Sequence, residues 1–457
     1  LTSDVLFLRD ISNVAAIYDF RALGGNITQA AGVDLIAGDA GQMFATDLNG
    51  GTLVPAVSIV TDRGSIGAAN NPFRLELVRG RDFANGTIAH DPANFFGRAG
   101  DDLYLDLQGT NISFLETTAV TTPADGIQLD MQAGDQLDFT GKTGKLTRVL
   151  TTPNGAGFIT TATDFAVEGV YDILNATSTG GDVDLEVLGP SSMAIGTVSA
   201  VNGTATLNSG GNLVDRNSTG AADVTARNVI LTSRSGAIGS AANPFDIDSS
   251  NNALGRVTAT APGAIVLNET SGDMRVARIS SGAGVTLSGA ASVVDASTDT
   301  IADIIATSLT ISAGNGVVGT TSNSLDLDVN RIDSVLARSV HLNEVSGNMV
   351  AGSVTATAGD VRLNATAGNL LVETITASGN TILTTPVGCV LDGSADAGAG
   401  ILTNGLTITA SGSIGSASNA LDVDTSRTAA PGAVLAAGNG INLRETAGTL
   451  VLASVTA

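Results

Sequence analysis

With 457 residues, 56 of them Gly, 3 Tyr and no Trp, the chain is long enough for several ordinary domains or for one solenoid, and its wealth of Val, Leu, Ile, Ala, Thr and Ser favours an all-β array. Its 21 Lys and Arg against 44 Asp and Glu leave a net charge of −23, which repels phosphate backbones and anionic headgroups, so nucleic acid is excluded as a partner and so is basic docking on a membrane. No run of 18 apolar residues is present to insert in a membrane, and the single cysteine, Cys389, rules out a disulfide framework and a thiolate metal site; set between apolar residues in PVGCVLD, it reads as a small buried hydrophobe.

Short apolar runs open the chain at Val5–Leu8, Val33–Ile36 and Val57–Val60. Their alternation predicts strands, and their spacings of 28 and 24 residues predict successive coils with extra turn residues. GSIGAANNPFRLE (64–76) follows as the first of four copies of G-x-[IV]-G-x-x-x-N-x-[FL]-x-[ILV]-[DE]. Residues 79–100 then interrupt the rhythm and concentrate Arg79, Arg81, Phe83, His90, Phe95 and Phe96. A loop thrown out of a solenoid is a common place for binding, so these six are the candidate contacts for a cell-surface glycan or receptor. The competing role is to fold the phenylalanines back over the coil beneath. Strands resume at Leu103–Leu107. Residues 165–174 read equally as a strand pair or a short helix, and the coil rhythm returns at Val183–Val187. These readings divide the chain into N-terminal β-helix coils over 1–130 with an inserted loop at 79–100, an irregular insertion or less regular coils over 131–182, and a regular repeat shaft over 183–457.

Within the shaft the remaining copies are GAIGSAANPFDID (236–248), GVVGTTSNSLDLD (316–328) and GSIGSASNALDVD (412–424). Each is preceded by an alternating strand and followed by a second shared motif, Ile265–Gly272, Val340–Gly347 and Ile441–Gly448. The cassettes begin at 229, 309 and 406, spacings of 80 and 97 residues that differ by close to one coil. In each, the glycines flank one inward aliphatic residue, and glycine suits a position where φ is positive or backbones crowd. In the strand that follows, alternation turns Phe245 and Ile247 one way and Asp246 and Asp248 the other. The pairs Asp246 and Asp248, Asp326 and Asp328, and Asp422 and Asp424 therefore read as a solvated acidic face, with calcium as the alternative and no other cofactor implied.

The clearest signal is a tandem: RSVHLNEVSGNMVAGSVTA (338–356) and TAGDVRLNATAGNLLVETITA (357–377) match after a shift of 21 residues. Val340 falls on Val361, Leu342 on Leu363, Met349 on Leu370 and Val354 on Ile375. A unit this short cannot close a core alone, but it can if each copy is one coil of a right-handed parallel β-helix stacked on the next. At about 4.8 Å per coil, roughly 20 or more coils with loop insertions would give a rod on the order of 100 Å long. Because LVLASVTA (450–457) matches MVAGSVTA (349–356), after which another coil begins, a segment of a longer protein, or a subunit whose end a neighbour covers, is expected.

The GSIGSASNALDVD, INLRETAG and VRLNATAG repeats resemble those of filamentous-haemagglutinin-type surface proteins of bacteria. The resemblance covers residues 200–457 well and 1–130 loosely. It implies a right-handed parallel β-helix shaft, export to the cell surface and a role in adhesion, biofilm or cell contact. Asn71-Pro72 and Asn243-Pro244 are cassette turns and not the secretion-module signature of that family.

Catalytic constellations are not found. Gly314–Gly319 fits GxGxxG without a helix to follow, and His90 and His341 are the only histidines, too few for a three-histidine metal site. His341 sits at an outward strand position. The sequence thus predicts a non-enzymatic, secreted, extracellular repeat protein that self-associates end to end or side by side. The alternatives are a glycan-binding or glycan-cleaving β-helix of the phage-spike or polysaccharide-lyase kind, with Asp101, Asp102 and Asp106 as its carboxylates, and an autotransporter passenger.

Overall fold

The computed structural model of the chain describes residues 192–457 except 395 and 427–431, and upstream the strand segments between Thr2 and Val187 with a few adjoining turn residues. Every regular element among the described residues is a β-strand, and every strand-to-strand pairing is parallel. Parallel pairing of strands close in sequence needs a return path, and a coil that comes back one layer higher supplies it. The fold is a parallel β-solenoid, and the stretch from residue 192 onward makes about 12 turns. The chain divides into two units, Leu1–Ala237 and Ile238–Ala457.

In the first unit, Leu35–Gly38, Phe73–Val78, Leu103–Gly109, Ile127–Asp130, Leu146–Thr151, Val183–Val187 and Val198–Ser209 stack in that order. A separate parallel sheet stacks Thr2–Ser3, Tyr18–Ala22, Val57–Thr61, Ala93–Ala99 and Ile112–Ala119. Two expectations are corrected here. The runs near residues 6, 35 and 58 are not successive layers of one column: Leu6–Leu8 pairs with Ile27–Gln29, and Val57–Thr61 pairs with Tyr18–Ala22. Similar apolar runs lie on different sides of one coil, so their spacing does not report the coil length. Residues 93–99, expected within a loop, form a strand, as the aromatic pair Phe95 and Phe96 favours. Val170–Thr177 is a strand, while 165–169 lie outside the described residues.

In the second unit the tandem repeat lies coil on coil. Val340 pairs with Val361, Leu342 with Leu363, Met349 with Leu370 and Val354 with Ile375, and all eight side chains are buried. Each aliphatic side chain closed off from water contributes about 1.5–3 kcal/mol, and a column places the next such side chain directly against it. The inward residues of the cassette turn, Ile238, Val318 and Ile414, are fully buried in the same way. Their second glycines, Gly239, Gly319 and Gly415, share φ of 63°. A Cβ on any of them would overlap the backbone oxygen of Val266, His341 or Asn442 respectively. Glycine is required here twice over, for the left-handed backbone and for the close approach.

Polar groups enter the stack where the turns supply partners. Asn348 Oδ1 accepts from the backbone N–H of Asn369 at 2.8 Å, Asn369 Oδ1 accepts from that of Cys389 at 2.8 Å, and Cys389 Sγ accepts from that of Ser413 at 3.2 Å. Cys389 is thus half-buried in an acceptor column at a turn, not the core hydrophobe the sequence suggested. The hydroxyls of Thr385 and Thr403 are buried but donate to turn carbonyls. Thr381 is the exception: it stands in the column of Val361 and Leu406, is fully buried, and its Oγ1 has no partner.

Two outcomes follow. Thr381→Val removes an unpaired buried hydroxyl at nearly constant volume and should raise stability by about 1 kcal/mol, read as a higher urea midpoint; an unchanged or lower midpoint would mean the hydroxyl is satisfied. Gly319→Ala combines left-handed strain of about 1–2 kcal/mol with the clash on His341, whereas Gly347, at φ 67° with nothing within 4 Å of a Cβ, shows the strain alone. Gly319→Ala should therefore lower the melting temperature more than Gly347→Ala, and equal effects would refute the close approach.

Candidate functional site: a recurring acidic corner

The cassette aspartates fall into two classes. Asp246, Asp326 and Asp422 point away from the aliphatic column as alternation requires, yet they are buried, at 4%, 4% and 0% exposure. The expected solvated face does not apply to them. Their neighbours Asp248, Asp328 and Asp424 are half-buried and tie down local turns: Asp248 and Asp424 accept from Ser250 and Ser426, and Asp328 accepts from the Ser346 hydroxyl at 2.7 Å.

Asp326 lies in strand Leu325–Val329 and meets two residues that sequence reasoning did not single out. Strand Val293–Asp295 ends on Asp295, a loop follows, and Asp303 stands just ahead of strand Ile304–Ala306. Asp295 Oδ1 accepts from the Ser297 backbone N–H at 2.6 Å and hydroxyl at 3.0 Å, Asp303 Oδ2 accepts from the Asp326 N–H at 2.9 Å, and Asp326 Oδ1 accepts from Asn343 Nδ2 at 2.6 Å. One carboxylate oxygen from each of Asp295, Asp303 and Asp326 lies within 4.8 Å of the others. All three residues are buried, and Asp295 Oδ2 has no hydrogen-bond partner. Burial, opposed by the Asp326 N–H bond and reinforced by the charge of Asp295 and a hydrogen bond to it, pushes the Asp303 carboxyl up to about 8; burial, opposed by the Asn343 bond and reinforced by Asp295 and Asp299, raises Asp326. The signal that marks these residues in the sequence is an Asp eight residues before another, 23 before the cassette Asp, and the same spacing occurs upstream at 215, 223 and 246.

A glutamate recurs beside this corner, buried at Glu269 and Glu344 and half-buried at Glu445. Glu269 accepts from the backbone N–H and the hydroxyl of Ser249 at 2.8 and 2.6 Å, and Glu445 does the same for Thr425 at 2.8 and 2.9 Å. Glu344 accepts from the Val329 N–H at 3.3 Å. Each glutamate thus fastens the strand end of the coil before it. Burial pushes Glu269 and Glu344 up to about 8.

Of the other candidates, Arg79, Arg81, Phe83 and His90 lie outside the described residues, as do Asp101 and Asp102. Phe95 and Phe96 lie in Ala93–Ala99, opposite Val57 and Ser58. His341, outward by register, is buried, because its place beside the turn at Gly319 is the one Val266 occupies in the preceding cassette. Burial, with Arg362 adding to it, lowers its pKa. A cleft of about 460 Å³ is lined by residues such as Asn404, Thr425, Ser426 and Thr449, none of them ionisable. No described helix is long and apolar enough to cross a membrane. The chain matches no known protein family, no curated protein and no solved structure.

A carboxyl whose pKa rises on folding holds its proton more tightly in the folded state. The stability it contributes is fully present below the unfolded value of 4.5 and is lost as pH climbs through about 8. Stability should therefore fall between pH 5 and pH 9, by on the order of a few kcal/mol per buried glutamate, read as a falling melting temperature. Glu344→Gln, which keeps an acceptor for Val329, should flatten that fall; an unchanged slope would show that the glutamates do not set it.

Proposed function

We propose that this chain is shaft material of an extracellular bacterial surface protein, a β-helical element that assembles into a fibre or surface layer and mediates adhesion or matrix formation. The observation that carries the reading is the reuse of the same residues for the same stacking tasks in successive cassettes. Gly239, Gly319 and Gly415 make one turn three times, and Glu269, Glu344 and Glu445 fasten one strand end three times. A sequence spent on repeating layers serves length and surface, whereas catalysis needs one layer unlike the rest. The resemblance to filamentous-haemagglutinin-type repeats and the acidic surface agree with secretion, self-association and a glycan or receptor on a neighbouring cell as partner.

Electron microscopy of the purified protein across salt concentrations should show lateral or end-to-end assembly, and beads coated with it should adhere to cells. Dispersed monomers under every condition, together with beads that do not adhere, would overturn the reading. Release of reducing ends from polysaccharides would replace it with a glycan-cleaving one.

A further inference from the structure

Two cassettes build the same corner, and they balance its charge differently. The strand ending on Asp295 stacks on Val276, and the strand ending on Asp392 stacks on Val372. The carbonyl of Asp303 accepts from the Ile279 N–H at 2.6 Å, and that of Gly400 accepts from Ile375 at 2.7 Å, so Gly400 occupies the place of Asp303. Asp326 pairs in register with Asn343, and Asp422 with Arg444. Where Asp303 is replaced by Gly400, Asn343 is replaced by Arg444, whose guanidinium is bound by both oxygens of Asp422 and feels the charges of Asp392 and Asp396. One cassette thus has one carboxylate fewer and a positive charge of its own. The other has one carboxylate more, and no Lys or Arg among the described residues is hydrogen-bonded or ion-paired to it.

We propose that Asp295, Asp303 and Asp326 bind a divalent cation of calcium size, which supplies the charge that Arg444 supplies in the next cassette. A second observation points to a ligand: with Asp303 ionised, Asp295 Oδ2 is buried and nothing donates to it, while the residue's other oxygen is held by Ser297. Such an oxygen is costly unless something positive meets it. Asp392 Oδ2 likewise lacks a hydrogen bond, but there the guanidinium is already part of the corner. Ligand chemistry selects among cations: calcium accepts several protein carboxylates in flexible geometry, whereas magnesium keeps several of its waters and is held by one or two. The three carboxylate oxygens lie within 4.8 Å of one another, close enough for one ion to bridge them. Asn343 holds one oxygen of Asp326 and the Asp326 N–H holds one oxygen of Asp303, which fixes both carboxylates in place. The loop between Asp295 and Asp303, exposed from Thr298 to Ile301, gives the ion its way in.

The test is calorimetric titration of the chelator-treated chain with calcium and, separately, magnesium at pH 7.5. Saturable calcium binding tighter than magnesium binding is expected, with a calcium-dependent rise in melting temperature. Since the aspartate spacing recurs upstream, the decisive reading is a difference in stoichiometry. The double variant Asp303→Gly with Asn343→Arg, which copies the Gly400 and Arg444 cassette, should lose one equivalent of calcium and melt in chelator at or above the wild-type temperature. Asp303→Asn, which keeps the acceptor for the Asp326 N–H, should weaken that one equivalent about tenfold or more, and it carries the test if the double variant fails to fold. No saturable calcium binding by the wild-type chain would mean that protons alone relieve the corner and would overturn the proposal. An undiminished equivalent in Asp303→Asn would do the same.

Discussion

The constraint on which this molecule rests is translational: each residue of a coil has the same position of the next coil about 4.8 Å away, so whatever stands at one layer is judged by what stands above and below it. Leu342, Leu363 and Leu383 answer to one another along a single column. An aliphatic side chain in such a column gains packing on both sides. A polar one has no lateral escape to water and must find its partner along the axis or at a corner. That is why, among the described residues, Asn348, Asn369 and Cys389 hand an acceptor upward at a turn layer by layer, while Thr381, set in the column itself, is left without a partner.

Charge is the hardest case under this rule. Carboxylates repeated at 4.8 Å would repel one another, and burial adds the loss of water. The chain meets this in three ways. It gives glutamates two donors at a strand end, as at Glu269; it spans two layers with an ion pair, as Arg331 does by passing beside Gly352 to reach Glu373 at 2.5 and 2.7 Å; and it gathers aspartates at one corner. The first two are complete in themselves. The corner of Asp295, Asp303 and Asp326 is not, which is what sets it apart from its Arg444 counterpart.

How far the fold could be read from the sequence depends on where insertions fall. The tandem at 338–377 has none, so a shift of 21 residues aligned Val340 with Val361 and Leu342 with Leu363, the very pairs that stack. Before residue 130 the turns differ in length, and runs such as Leu6–Leu8 and Val57–Thr61 could not be assigned to their columns, because alternation shows that a residue is in a strand but not which side of the coil the strand occupies. Alternation also gives direction without coverage. It turned His341, Asp246, Asp326 and Asp422 outward correctly and could not show that they are buried there. Asp295 and Asp303 escaped notice because a lone Asp in a Ser- and Thr-rich loop is common turn chemistry. Only the repetition of their spacing in another cassette distinguishes them.

The cassette lengths sharpen this point. The second and third cassettes differ by close to a whole coil, yet the distance from Asp295 to the position of Asp303 is the same as from Asp392 to Gly400. The extra residues fall between Asp326 and Asp392, in the stretch that holds the tandem repeat. A solenoid accepts an added coil wherever the columns resume in register, since the new layer brings its own neighbours with it. A corner built by side chains from separate strands accepts a change only in the turns between them, because a shift of one residue within a strand turns its side chains to the opposite face. Asp303 stands 23 residues before Asp326 and Gly400 stands 22 before Asp422, the missing residue falling in the turn between Leu406 and Gly412; what varies in length is therefore the turn and the whole layer, and what keeps its register is the strand that carries each corner residue.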